Sequence, residues 1–152
     1  MRRVLAVVVL ALACAPTAAA HVDGPAQLAF EWPAFGTVTT PFGWTPEGRW
    51  HAGLDIGTLR SLDVRAAAPG RVRLVGMPVG FEGYGNVVVI GLGGPFETVY
   101  AHLASERVRP GEVVDAGEPI GVAGCTGWCT GTHLHFELRD RGQAIDPSFL
   151  LP

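Results

Sequence analysis

The run His133-Leu134-His135-Phe136-Glu137 follows a loop rich in Gly, Thr and Cys, Gly124 to Thr132, and reads as a β-strand. Side chains on a strand alternate between two faces. His133 and His135 therefore share one face, and Leu134, Phe136 and Leu138 share the other, where they can enter a core. Two imidazoles held side by side on a rigid strand are suited to a metal ion, or to a metal and a proton-transfer group. A chance pair on a solvated strand is the alternative, and the company the pair keeps decides between them.

The rest of the chain has the composition of a β domain. It is 152 residues long, enough for one domain, and 48% of it is hydrophobic, enough for a core. With 21 Gly and 12 Pro, it favours short strands and many turns. The net charge of −3 gives no reason to expect nucleic acid or an anionic membrane as partner. Every cationic side chain is Arg, which removes Ser-Lys and Schiff-base chemistry. The expected fold is all-β: a compact antiparallel sandwich or open-barrel-like domain with little helix, its long loops forming a groove.

The N-terminus reads as a targeting signal. Arg2 and Arg3 precede an apolar run, Val4 to Ala13, which is shorter than the roughly 20 residues of a membrane span. Ala18-Ala19-Ala20 offers a small-residue cleavage site, so residues 1–20 are expected to be a signal peptide. Lipidation at Cys14 is the alternative reading. Either way Cys125 and Cys129 remain, an even pair in an exported chain, and one disulfide is expected. Its loop is so small that the entropic gain is only roughly 2 kcal/mol. Fixing the approach to His133 is the better use for it.

Residues 21–31 read as an extended leader, and residues 32–152 as the domain. Glu31 to Phe42 suits an edge strand because it carries two Pro. Phe42, Trp44 and Trp50 flank a loop and are expected to plug the core, with the wall of a substrate groove as the alternative. In His51-Ala52-Gly53-Leu54-Asp55-Ile56-Gly57, the glycines argue for a bent strand or turn over a helix. After the turn at Pro69-Gly70, Val72 and Leu74 begin an alternating strand; Asn86 to Leu92 is a buried strand. In Thr98 to Leu103, alternation sets Val99, Ala101 and Leu103 against Thr98, Tyr100 and His102, placing His102 on a polar face. Two short β segments lie between Arg109 and Gly121.

His51, His102, His133 and His135 all fall on or beside strands, and Asp55 is the one acid in fixed company with a histidine. A catalytic zinc takes three protein N or O ligands and keeps a position open for water. His, Asp and His satisfy that, and two histidines are left for proton transfer and oxyanion stabilisation. A closed site of Cys125, Cys129, His133 and His135 is the competing metal reading; it would leave His51, Asp55 and His102 without a role. Neither a G-x-S-x-G elbow nor an H-E-x-x-H helix is present.

H-A-G-L-D-I-G at 51–57, Y-A-H-L at 100–103 and G-T-H-L-H-F-E at 131–137 resemble the LytM/lysostaphin-type zinc endopeptidases, which cut peptide bonds in bacterial peptidoglycan. A-P-G-R-V at 68–72, G-Y-G-N-V-V-V-I at 83–90 and V-R-P-G-E-V-V-D-A-G-E-P-I-G at 108–121 extend the match from about Trp32 to the C-terminus. The resemblance implies one zinc ion on His51, Asp55 and His135, with His102 and His133 as the catalytic pair. It implies attack of a zinc-activated water on the scissile carbonyl. Glu137 would either orient one of the histidines or be an ordinary exposed acid. Cys125, Trp128 and Cys129 depart from the small polar residues usual in that loop, and a disulfide there would stiffen one wall of the groove. The unit is expected to stand without a wall-targeting or coiled-coil domain, as a monomer acting on peptidoglycan peptides. A zinc-holding module that binds peptidoglycan, or regulates others there, without cutting is the alternative.

Overall fold

The structure, a computed structural model, describes residues 29–152. The expected signal segment, Cys14 and most of the expected leader lie outside them. Phe30, placed in that leader by sequence, is buried in the core, and the Glu31 amide donates to Ala67 O at 2.7 Å. Packing therefore begins ahead of Trp32. Among the described residues no helix is long and apolar enough to cross a membrane.

The fold is all-β and antiparallel, as expected. Its strands are β1 (Thr37–Thr40), β2 (Gly43–Trp44), β3 (Trp50–His51), β4 (Leu54–Gly57), β5 (Asp63–Arg65) and β6 (Gly70–Gly76). There follow β7 (Asn86–Gly93), β8 (Phe96–Glu106), β9 (Val113–Val114), β10 (Pro119–Ala123), β11 (Leu134–Asp140) and β12 (Gln143–Ile145). A 3-10 turn at Pro147–Phe149 comes last, with Asp146 as its N-cap. The main sheet runs β1-β4-β11-β8-β7-β6-β9; β10 joins β8 to β5, β12 pairs with β11, and β2 and β3 form a separate pair. β1 is the edge strand its prolines call for.

One face of the sheet closes on the core. Leu54 and Ile56 of β4, Val72 of β6, Val88 and Ile90 of β7, Tyr100 of β8, Ile120 of β10, and Leu134, Phe136 and Leu138 of β11 all enter it. The opposite face of the central strands carries a small second cluster, Val87, Val89, Val99 and Ala101, covered by Phe81 and Tyr84. This is why β7 is buried on both faces from Val87 to Leu92.

Two alternation readings fail, both at bulges. Between β6 and β7 the register slips so that Arg73 has no partner. Val72 is buried and Leu74 is 39% exposed, on the side of Val89. In β8, Leu103 pairs with Asn86 and Tyr100 with Val88, so two residues of β8 face one of β7. The chain absorbs the extra residue at His102, whose φ is +60°. Left-handed backbone is uncommon away from Gly, and is less so for His; it costs about 1 kcal/mol or more. The insertion turns Leu103 into the main core beside Tyr100 and puts His102 on the Ala101 face. The predicted grouping of Leu103 with Val99 and Ala101 is thereby corrected.

The plug expectation for the aromatics holds for Phe42, which packs on the core. Trp44 and Trp50 are instead 74% and 53% exposed, stacked edge to face with each other.

Gly53 explains the bend before β4. A Cβ there would lie 2.3 Å from Phe136 O, so only glycine lets β4 close onto β11. Gly53→Ala is expected to destabilise the protein by about 1–3 kcal/mol, the usual cost of overpacking, read as a lowered thermal midpoint.

Candidate metal centre and groove

Three strands deliver the centre. His51 ends β3, Asp55 sits in β4, and His135 lies opposite Asp55 across the β4–β11 ladder. Asp55 Oδ1 is 3.0 Å from His51 Nε2 and 2.8 Å from His135 Nδ1, and the two nitrogens are 3.1 Å apart.

The outward-facing nitrogens show what these contacts are. His51 Nδ1 is 2.8 Å from Pro41 O, which can only accept, so Nδ1 carries the proton and Nε2 is bare. His135 Nε2 is 3.0 Å from the Glu137 carboxylate, so its proton belongs there and Nδ1 is bare. With both rings neutral, two nitrogen lone pairs and a carboxylate oxygen thus converge with no proton among them. That repels unless a cation occupies the middle. Donors on a tetrahedral ion with bonds of ~2.0–2.1 Å sit about 3.3 Å apart, close to the separations found here. The set fits zinc. Without a metal the same crowding attracts a proton. Burial would lower the His135 pKa, but its hydrogen bonds with Asp55 and Glu137 lift it to about 9. Burial would raise Asp55, but His135 and His51 hold its carboxyl far below the usual range.

Glu137 is fully buried, which excludes its reading as an ordinary exposed acid. Besides His135 it accepts from Tyr84 Oη at 2.5 Å and from Arg139 Nε at 2.5 Å. Arg139 lies over the Phe81 and Tyr84 rings at 5.0 and 5.8 Å. Burial would push the Glu137 pKa up, but His135, Arg139 and Tyr84 keep it low and the group charged. Sequence reasoning missed Tyr84 and Arg139. Arg139 was legible from period two, since it shares the strand face of His135 and Glu137. Tyr84, in a loop, gave no such signal.

His102 and His133 stand beside the centre with ring centroids 4.7 Å apart. His102 Nδ1–H donates to Thr126 O at 2.8 Å, and His133 Nδ1–H donates to Gly131 O at 2.7 Å. Each, as a neutral ring, therefore keeps a bare Nε2; that of His133 is 3.7 Å from Asp55 Oδ1. Burial lowers the His102 pKa and so favours the neutral ring, outweighing the hydrogen bond to Thr126, which acts the other way. All five predicted site residues line one open groove of about 650 Å³, together with Trp50, Tyr84 and Trp128. Cys125 and Cys129 are bonded to each other, as expected, which removes the closed Cys2His2 alternative.

Glu137→Gln would keep an acceptor for His135 but strand the Arg139 charge. It should weaken zinc binding about 10–100-fold, the usual effect of an outer partner, measured by competition with a chromogenic chelator.

The profile of peptidase family M23 matches residues 49–147. Among curated relatives, the DD-carboxypeptidase/endopeptidase Mpg of Neisseria meningitidis is 39% identical over 76% of this chain and 27% of its own length. The murein hydrolase activator NlpD of Salmonella typhimurium is 36% identical over 82% of this chain and 32% of its own. The chain thus spans about a third or less of the curated relatives it matches. Among solved structures, a zinc-containing peptidase from Vibrio cholerae superposes with a TM-score of 0.66 at 32% identity, over 78% of this chain and 39% of that one. The catalytic domain of lysostaphin from Staphylococcus simulans gives 0.61 at 30% identity, over 76% and 90%.

Proposed function

Since this chain belongs to peptidase family M23, we propose that it is an exported zinc-dependent endopeptidase that hydrolyses peptide bonds in bacterial peptidoglycan, with His51, Asp55 and His135 as metal ligands and His102 and His133 as the catalytic pair. The observation that carries this is the meeting of donor atoms from His51, Asp55 and His135 within 4.8 Å of one another, beside the imidazoles of His102 and His133, all in one groove. Zinc bound there supplies Lewis acidity and a water whose pKa falls from ~16 towards ~7. The chain's own residues do the rest. The groove takes the peptide between Trp50 and Trp128. One bare imidazole nitrogen accepts the proton of the attacking water. The other imidazole, once protonated, donates to the carbonyl oxygen as it gains charge. The carbonyls of Thr126 and Gly131 keep both rings in the tautomer this requires.

The test is release of new amino termini from purified peptidoglycan by the zinc-loaded protein, with and without a strong chelator. Loss of release on chelation and its return with zinc support the reading; release that ignores the chelator overturns it. The likeness to NlpD favours a second reading, a module that binds peptidoglycan or activates other hydrolases without cutting. Tight binding to peptidoglycan with no new amino termini would select it.

A further inference from the structure

Both groove histidines take their orientation from one short loop. The acceptor for His102 is Thr126 O, inside the ring closed by Cys125 and Cys129. The acceptor for His133 is Gly131 O, two residues past that ring.

The two halves of the loop are held differently. In the first half, Thr126 Oγ1 donates to Leu103 O at 2.8 Å and accepts from the Asn86 amide at 3.0 Å. The Trp128 amide donates to Gly83 O at 2.7 Å, and a Cβ on Gly127 would lie 2.4 Å from Gly83 O. The second half has no such anchorage. Among the described residues, no backbone–backbone hydrogen bond reaches 129–132, and a Cβ on Gly131 would stand in open space. At its far end the His133 amide donates to Gly124 O at 3.2 Å; between that bridge and Trp128 the disulfide is what ties this half to the first. It sets Cys125 and Cys129 5.3 Å apart at Cα and places Cys129 Sγ 3.8 Å from His133 Nδ1.

We propose that the Cys125–Cys129 disulfide is a positioning clamp for the catalytic pair: it carries the anchorage of Thr126 across to Gly131, so that His133 is held in register with His102. The disulfide touches neither metal nor substrate and acts through the two imidazoles. Hydrolysis by this chain then depends on its oxidation state, which suits action in an oxidising compartment. The kinetic part rests on the peptidase reading; the structural part does not.

The test compares three zinc-loaded forms of the full chain: wild type, the Cys125→Ser/Cys129→Ser double variant, and wild type treated with a phosphine. The phosphine breaks the S–S bond, two thiols form, and the phosphorus leaves as its oxide with the oxygen of water. The expected result is a fall in kcat of about 10–100-fold in both altered forms, as small misplacements at a reacting centre give, with KM and zinc content held. Nitrogen NMR of the histidines is the second readout. It should show His133 Nδ1 protonated in the oxidised wild type and its tautomers mixed once the disulfide is gone, while His102 changes less. Unchanged kcat and unchanged His133 signals would overturn the clamp, as would loss of zinc or fold in both altered forms. If wild type releases no amino termini at all, the peptidase reading fails, and the His133 signals alone decide the clamp.

Discussion

His133→Ala is expected to keep about one zinc ion per chain and to hydrolyse peptidoglycan roughly 10²–10⁴-fold more slowly than the parent, the usual contribution of a positioned proton-transfer group. His133 Nε2 stands 3.7 Å from Asp55 Oδ1, at the edge of the donor cluster and outside the mutual contacts of His51, Asp55 and His135. Its side chain is partly exposed and its backbone is tied by the bridge to Gly124, so truncation removes a proton acceptor without opening the core. Metal analysis and initial rates on the same preparation check both halves. A variant that lost zinc together with activity would move His133 into the ligand set. One that kept full activity would remove it from the chemistry.

Asp55→Ala is expected to weaken zinc binding by more than the ~10–100-fold that an outer partner costs, and to bring hydrolysis down with it. Asp55 is the only carboxylate among the three converging donors, so its loss removes both a ligand atom and the negative charge that favours the cation. The carboxylate also meets both His51 and His135 through one oxygen. Asp55→Asn keeps the shape but not the charge, and should fall between the parent and alanine. Equilibrium dialysis with zinc, with circular dichroism as a check on folding, reads the series. Equal zinc content in all three proteins would contradict the assignment.

The meeting of the candidate side chains was legible in the chain because it is carried by period two and by short spacing. His133, His135 and Glu137 had to share a face once β11 was a strand, and Gly53 and Gly57 kept His51 and Asp55 off a helix. His102 was harder. Strict alternation grouped it with Tyr100, on what proved to be the core side, and only the insertion in β8 brings it to the groove. Such an insertion depends on which residues of the neighbouring strand pair across it, and that is not written locally. Leu74 misled for the same reason, at the slip beside Arg73. Trp44 and Trp50 were taken for core because aromatic side chains usually are; here β2 and β3 form a pair of their own, away from the sheet. The partners of the imidazoles were least legible. Pro41, Thr126 and Gly131 act through backbone carbonyls, which any residue supplies, so their side chains announce nothing.

The main apolar cluster and the convergent donors lie on opposite sides of β11. Cohesion of the body comes from Phe136, Leu134 and their neighbours, and owes little to whatever sits between His51 and His135. Small zinc modules whose ion is their core collapse on chelation. A polypeptide built like this one is expected to assemble without an ion, so that stripping and reloading a metal would form a reversible cycle and supply of the metal would be a control separate from folding.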